Sequence, residues 1–160
     1  MVNMNSALFT SKSDEWSTPQ DFYDQLDDRW GFTLDPCASS ENHKCERYFT
    51  IEDDGLKQSW EGQTVFVNPP YSNIAAWLEK AYKETRRPKV ETIIVCLIPS
   101  RTDTRYWHQY VMGSAIIYFV KGRLKFGGCK NSAPFPSSVV VFNSRPLEYR
   151  LFVGSMLSKV

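Results

Sequence analysis

The chain has 160 residues, of which 42% are hydrophobic, enough for one compact domain with a sizeable core. Its formal net charge is +1, which excludes a global basic field, so nucleic-acid binding would require a local patch. Residues 1–16 lack the apolar segment of a signal peptide, and no apolar run approaches the ~20 residues that span a bilayer. We therefore expect a soluble, cytoplasmic protein with no membrane partner.

The N-terminal region divides into a polar stretch and a helix. Residues 1–14 are polar and aperiodic, so we predict a flexible arm there and a single domain over residues 15–160. Ser17-Thr18-Pro19-Gln20 is typical of a helix start, with Ser or Thr as the cap and Pro in the first turn. Apolar residues at helical spacing extend this helix to Trp30, and Gly31 is predicted to end it.

The remaining elements follow in chain order. They are short strands at 32–35 and 48–50, a strand at 64–67, a helix at 74–86, a buried strand at 92–98, a helix at 103–112, strands at 115–120 and 138–142 separated by a loop at 121–136, and a last short strand at 149–153. Alternating strands and helices predict an α/β fold with a mostly parallel sheet. Because no helix separates the last strands, we expect an antiparallel C-terminal hairpin at the sheet edge.

The cysteines do not indicate a metal site. Cys37, Cys45, Cys96 and Cys129 occur without a secretion signal, so we expect reduced thiols. Cys37, His43 and Cys45 are close in sequence, but their spacing matches no paired zinc motif and a fourth ligand is not apparent. We expect no bound metal.

The tetrapeptide Asn68-Pro69-Pro70-Tyr71 directly follows the apolar run 65–67. Each proline fixes its own φ and keeps the preceding residue out of the helical region, so Asn68 and Pro69 are predicted to be extended. The turn then forms a rigid shelf that presents the Asn68 amide, the Pro69 carbonyl and the Tyr71 ring. Two acceptors beside an aromatic face suit an exocyclic amine on a planar ring. An ordinary proline-rich turn is the alternative interpretation.

Acidic side chains follow two other predicted strands. Ligands of open α/β sheets bind beyond the carboxyl ends of the strands, which makes these side chains candidate ligand contacts. Asp35 is placed to pair with a ligand ammonium group, and Asp53 or Asp54 to accept from an adenine amine or a ribose hydroxyl. A turn role is the alternative for each of them.

An ordered set of motifs resembles DNA N6-adenine methyltransferases of the phage and prophage type. The resemblance runs from Trp16 to about Phe142. Its motifs are Trp16-Ser17-Thr18-Pro19, Asp35-Pro36-Cys37-Ala38, Asp53-Asp54-Gly55-Leu56, Asn68-Pro69-Pro70-Tyr71, Ile98-Pro99-Ser100-Arg101-Thr102-Asp103-Thr104, Gly122-Arg123-Leu124-Lys125-Phe126 and Ala133-Pro134-Phe135-Pro136-Ser137. The tetrapeptide alone is shared with methyltransferases that act on RNA bases, cytosine amines and protein glutamine. Those substrates remain alternatives, as does a nucleic-acid-binding module whose catalytic function has lapsed.

The resemblance implies a Rossmann-like domain that uses S-adenosylmethionine to methylate adenine N6 in DNA, with the target base flipped or already single-stranded. The implied catalytic residues are Asn68, Pro69, Pro70 and Tyr71. The implied cofactor-binding residues are Trp16, Thr18, Pro19, Asp35, Pro36, Cys37, Ala38, Asp54 and Asn68. Asp54 is preferred to Asp53 because it directly precedes Gly55. Simple helix capping by Thr18 and packing of Trp16 at the helix start are the alternatives.

Basic residues cluster after the later strands and are expected to form a phosphate track for DNA. They are Arg101, Arg105, Lys121, Arg123, Lys125 and Lys130. A solvated charged face is the alternative. Only about thirty residues separate Asp35 from Asn68, too few for a separate recognition domain, so we predict short or relaxed sequence specificity. The sequence leaves the oligomeric state open.

Overall fold

The computed structural model describes residues 16–86, 90–127 and 129–144, together with the backbone of residues 153–157. The predicted arm over residues 1–14 and positions 149–152 of the last predicted strand lie outside the described residues. Helix α1 spans Gln20–Trp30 and helix α2 spans Ile74–Glu84, with a 3-10 turn at Tyr71–Asn73 and a π-helix at Trp107–Val111. The strands are β1 (Thr64–Val67), β2 (Ile93–Pro99), β3 (Ile116–Lys121), β4 (Ser137–Asn143) and β5 (Val153–Leu157).

Helix α1 buries one apolar face and ends where the sequence predicts. Gly31 has φ 65° and its N–H donates to the Asp27 carbonyl at 2.7 Å, a left-handed conformation that glycine adopts without a Cβ penalty. The predicted Ser or Thr cap was wrong. Pro19 occupies the N-cap, and no side chain of a described residue caps the helix. The Thr18 hydroxyl accepts from Asn68 Nδ2 instead.

The strands form one mixed sheet in the order β1-β2-β4-β3-β5. β1 pairs in parallel with β2, and β3 with β5, whereas β4 is antiparallel to both β2 and β3. The expectation of a mostly parallel sheet was therefore wrong. The antiparallel pairing of β3 with β4 is confirmed, but the pair does not lie at the edge, because β4 pairs with β2 along its whole length and β5 lies beyond β3.

The short strands predicted before β1 are reduced to single bridges. Leu34 bridges Val65 of β1, and Asp35 bridges Tyr48, both in the parallel sense. The Phe49 N–H also donates to the Asp35 carbonyl at 2.9 Å. These contacts continue the sheet in irregular form past β1 and place Asp35 beside the end of that strand.

Both faces of the sheet are buried. Val65 belongs to a core cluster with residues of α2 and the π-helix, whereas Phe66 belongs to the cluster with residues of α1. Successive strand residues point to opposite faces, so a strand covered on both sides is an uninterrupted apolar run, as in β2. Helices on both faces leave the loops at the strand ends free to form a site.

Among the described residues, no helix is both long enough and apolar enough to cross a membrane.

Candidate active site

A cavity of about 560 Å³ opens where the loops following Leu34 and β1 meet residues 16–18 and 50–56. Its volume lies within the roughly 300–1,000 Å³ of small-ligand pockets. The predicted cofactor-binding residues that line it are Trp16, Thr18, Asp35, Pro36, Cys37, Ala38, Asp54 and Asn68. Pro19 is not among the lining residues and serves as the N-cap of α1.

Asp35 is a buried carboxylate without a salt bridge. It is 4% exposed, and Oδ2 accepts the Lys44 backbone N–H at 3.0 Å. The Lys44 ammonium donates instead to Gln20 Oε1 at 2.7 Å, and none of the salt bridges in the described part of the chain involves Asp35. Burial therefore raises the pKa of Asp35 to about 6. A cationic ligand group in the cavity would satisfy this charge.

Asp53 and Asp54 are neighbours in sequence but make different contacts. The Asp53 carboxylate accepts from Thr50 N at 2.8 Å and Thr50 Oγ1 at 2.9 Å, which closes the turn. Asp54 lines the cavity, adopts φ 52° and pairs with Lys57 at 2.9 Å. Its left-handed conformation turns the chain so that Gly55 passes directly over the Pro36 carbonyl. The geometry thus favours Asp54 over Asp53 as the ligand contact.

Gly55→Ala is expected to destabilise the fold by about 3 kcal/mol or more, because its Cβ would overpack a rigid contact. That Cβ would lie 1.9 Å from the Pro36 carbonyl oxygen and 3.2 Å from the Trp77 ring. Gly31→Ala is the control, since its Cβ would meet nothing within 4 Å and only the left-handed φ would cost about 1 kcal/mol. Urea denaturation measures both. Similar losses for the two variants would contradict the close contact.

The Asn68 side chain is held by its amide nitrogen. Nδ2 donates to the Trp16 carbonyl at 2.5 Å and to Thr18 Oγ1 at 3.1 Å. A carbonyl oxygen only accepts, so the nitrogen must face Trp16 and Oδ1 must face away. Oδ1 is buried and has no hydrogen-bond partner among the described residues. Cys37 Sγ also donates to the Asn68 backbone carbonyl at 3.2 Å, which ties the tetrapeptide to the loop that carries Asp35.

The Tyr71 ring lies in an aromatic cluster. It stacks on Trp16 with centroids 6.1 Å apart and planes 15° apart, and meets Phe135 edge-on at 5.3 Å and Phe126 at 6.4 Å. Its hydroxyl is buried without a partner among the described residues. Burial raises the pKa of Tyr71 above its ordinary value, and the nearby charge of Arg101 opposes that shift. The ring is therefore half-enclosed rather than displayed on an open shelf.

Sequence comparison places the chain in a known family. The sequence model of the DNA N-6-adenine-methyltransferase (Dam) family matches residues 5–153. The chain belongs to the Dam family. The expectation drawn from its ordered motifs is thereby confirmed.

Phage and bacterial relatives support the Dam assignment. A DNA N-6-adenine-methyltransferase of Escherichia phage T1 is 31% identical over 113 residues, covering 69% of this chain and 46% of the phage protein. One from Haemophilus phage HP1 (strain HP1c1) is 27% identical over 123 residues, covering 73% and 69%. The putative methyltransferase YfdM of Escherichia coli (strain K12) is 34% identical over 65 residues, covering 36% and 71%. The chain spans about half the length of the phage T1 relative.

The predicted basic residues of this Dam-family chain are all exposed. Arg101 follows β2 and lies close enough to Tyr71 to influence its pKa. Arg123 and Lys125 flank Leu124 in the loop that carries Phe126, and so they adjoin the aromatic cluster. The structure thus brings the loops after β2 and β3 to the tetrapeptide, while Arg105, Lys121 and Lys130 lie in or next to the same two segments.

The residues weighed as a zinc cluster have other partners. Cys37 bonds to the Asn68 carbonyl, and His43 stacks on Tyr48 while its Nδ1 contacts the Cys45 carbonyl. All four cysteines are free thiols. Within the described ranges, no group of three or more His, Cys, Asp or Glu residues is arranged to hold a metal ion.

Sequence reasoning missed two features of the Dam-family site. It did not predict that Trp16 and Thr18 hold Asn68, since those residues are 52 and 50 positions away. It also missed Phe135 in the aromatic cluster. The available signal was that Phe135 stands between two prolines in a polar loop, where an aromatic side chain fixed by rigid neighbours indicates a contact.

Proposed function

We propose that this chain is a single Rossmann-like methyltransferase domain over residues 15–160 that transfers a methyl group from S-adenosylmethionine to adenine N6 in DNA. The observation that carries the proposal is Asn68 Oδ1, a buried acceptor that has no partner among the described residues and whose direction is fixed from the nitrogen side. A buried unsatisfied acceptor costs about 1–3 kcal/mol. Such an acceptor is retained when a ligand donor satisfies it, and an adenine amine is that donor.

The cavity fits the proposed cofactor. Asp35 supplies a buried carboxylate, without a salt bridge among the described residues, for the cofactor ammonium, and Asp54 supplies an acceptor for its ribose hydroxyls or adenine amine. The start of α1 offers a positive dipole end for its carboxylate, and Thr18 lines the cavity. Trp16, Pro36, Cys37 and Ala38 also line the cavity. When bound, S-adenosylmethionine supplies a methyl group already activated by its sulfonium.

The tetrapeptide prepares the target amine. The adenine amine is a poor nucleophile because its lone pair is delocalised into the ring. Asn68 Oδ1 and the Pro69 carbonyl each accept one of its N–H groups, which favours a pyramidal nitrogen with its lone pair free to attack. Such placement is worth several kcal/mol, and the acceptors stabilise the positive charge that develops on nitrogen. Pro70 stiffens the turn and Tyr71 stacks on the base, while solvent takes the proton after transfer.

The DNA enters this site as a flipped or single-stranded base, because an adenine inside a duplex cannot reach a buried acceptor. The exposed basic side chains on the loops after β2 and β3 hold the flanking phosphates. Base recognition falls to these same two segments, so we propose short or relaxed sequence specificity. Mapping methylated sites at single-base resolution tests this, and a long defined site would contradict it.

Arg101→Ala is expected to weaken duplex binding about 3- to 10-fold and to reduce the salt slope by about 0.9, since one phosphate contact is lost. Arg123→Ala should have the same two effects on duplex binding and salt slope. Lys83→Ala is the matched control, because Lys83 is paired with Glu79 on α2. Fluorescence anisotropy at several salt concentrations measures the slope. Equal losses in all three variants would show that only total charge matters.

The reaction itself is tested by incubating the protein with labelled S-adenosylmethionine and DNA, then digesting the DNA to nucleosides. Label in N6-methyl-2′-deoxyadenosine is expected. The same assay with RNA, with cytosine-only DNA and with protein separates the other amine substrates. Cofactor-independent DNA binding with no transfer to any of them would identify a lapsed enzyme and overturn the proposal.

A further inference from the structure

The carboxamide of Asn68 uses both of its N–H groups on one short segment. One donates to the Trp16 carbonyl at 2.5 Å and the other to Thr18 Oγ1 at 3.1 Å. With both donors satisfied, the group can act toward a ligand only as an acceptor through Oδ1, which has no partner among the described residues. The direction of that acceptor is thus set by the segment 16–18 rather than by the tetrapeptide.

Thr18 is well placed to orient the Asn68 side chain. It is 4% exposed, and it precedes the N-cap residue Pro19, so its hydroxyl is not used to cap α1. A hydroxyl has one donor and two acceptor lone pairs, and here one lone pair receives the Asn68 N–H. Of the two partners of Asn68 Nδ2, Thr18 is the one whose contact is made by a side chain and can be removed by substitution.

The segment that carries these acceptors is itself fixed. The Ser17 carbonyl accepts the Gly127 N–H at 2.8 Å, and the Trp16 ring packs edge-on against Phe126 at 5.4 Å and Phe135 at 5.6 Å. A flip of the Asn68 amide would set Oδ1 against the Trp16 carbonyl oxygen, where two acceptors repel. Rotation short of a flip is opposed by the Thr18 contact.

We propose that Thr18 is a positioning residue for the methyl-transfer reaction, whose hydroxyl fixes the Asn68 amide so that Oδ1 faces the target amine. This inference rests on the proposed function. It departs from the expectation that Thr18 itself binds the cofactor. The two roles differ in which constant they affect, because positioning Asn68 changes the chemical step whereas a cofactor contact changes cofactor affinity.

The test compares Thr18→Val, which keeps the shape and removes the hydroxyl, with Thr18→Ser, which keeps the hydroxyl. Thr18→Val is expected to lower kcat about 10- to 100-fold while the Kd for S-adenosylmethionine stays within about threefold. Thr18→Ser is expected to restore kcat to near the unmodified value. An unchanged kcat in Thr18→Val, or a loss confined to Kd, overturns the inference.

A second readout needs no turnover. The side-chain amide of Asn68 gives a pair of ¹H–¹⁵N resonances, identified by their loss in Asn68→Ala. They should shift in Thr18→Val and in Thr18→Ala, which serves if the valine variant fails to fold, and stay in place in Thr18→Ser. Unmoved resonances overturn the inference even if DNA is methylated. If the unmodified protein methylates no DNA but the resonances move, the proposed reaction fails and the positioning of Asn68 stands.

Discussion

Asn68→Ala is expected to lower the rate of methyl transfer about 10³-fold, the scale seen when one preorganised polar partner of a transition state is removed. The variant loses the buried Oδ1 acceptor that would hold the target amine. Asn68 is only one of many residues lining the cavity, so the Kd for S-adenosylmethionine should stay within about threefold. Single-turnover methylation and calorimetric cofactor binding, measured on the same samples, separate the two effects.

Gln25→Ala is the control for Asn68→Ala. It also removes a carboxamide, but one whose nitrogen donates to the Asp21 carbonyl within α1, away from the cavity lining. Its methylation rate should match that of the unmodified protein. If Asn68→Ala keeps a tenth or more of the activity, the amine is activated by other groups and the central role of Oδ1 is wrong.

Asp35→Asn is expected to weaken S-adenosylmethionine binding about 30- to 1,000-fold at pH 7.5, the range for truncating one partner of a buried charge pair. The pKa of Asp35 is about 6, so its carboxylate is ionised at pH 7.5 and protonated below that pKa. In the unmodified protein, cofactor affinity should therefore fall as pH drops below about 6, whereas in Asp35→Asn it should not change over this range. Calorimetric titrations between pH 5 and 8 measure both.

Asp53→Asn is the matched control, because the same chemical change falls on a carboxylate that closes a turn and does not line the cavity. It should leave cofactor affinity and its pH dependence unchanged. A pH profile of the unmodified protein that is flat through pH 6 would exclude Asp35 as the partner of the ammonium group.

Asp35→Asn, which is expected to weaken cofactor binding, should by contrast stabilise the cofactor-free protein. The folded-state pKa of Asp35 is raised from 3.8 to about 6, so the folded protein binds more protons than the unfolded chain within that window and loses stability as pH rises through it. The ionised carboxylate then costs up to about 3 kcal/mol at pH 7.5. Asp35→Asn should be more stable by up to that amount at pH 7.5 and by little at pH 4, as measured by urea denaturation.

The element types could be predicted from local patterns, but their arrangement could not. The uninterrupted apolar run of β2 indicated a strand buried on both faces, and Gly31 marked the end of α1. The apolar sequence of β4 does not predict that this strand pairs with β2 as well as with β3. A strand without polar alternation has no preferred face or neighbour, so the antiparallel insertion that makes the sheet mixed is decided by packing of the whole chain.

The site shows the same division. Asp35 and Asn68 could be located because the first ends a predicted strand and the second directly follows β1, and Asp54 because it precedes Gly55. The contacts that orient Asn68 come from Trp16 and Thr18, and no periodicity in the sequence connects positions so far apart. The presence of the Asn68 amide could be predicted from the sequence, but its orientation could be read only from the structure.

The hydrogen bond from the Gly127 N–H to the Ser17 carbonyl has a consequence for the order in which the site forms during translation. Asn68 is oriented by a segment near the start of the described chain, and that segment is held by the loop between β3 and β4. β2 in turn lacks its central neighbour until β4 has been synthesised. A nascent chain that has not reached residue 143 therefore lacks the complete pairing of β2 with β4, even after the tetrapeptide has been synthesised. The contacts that complete the candidate site can therefore form only late in translation.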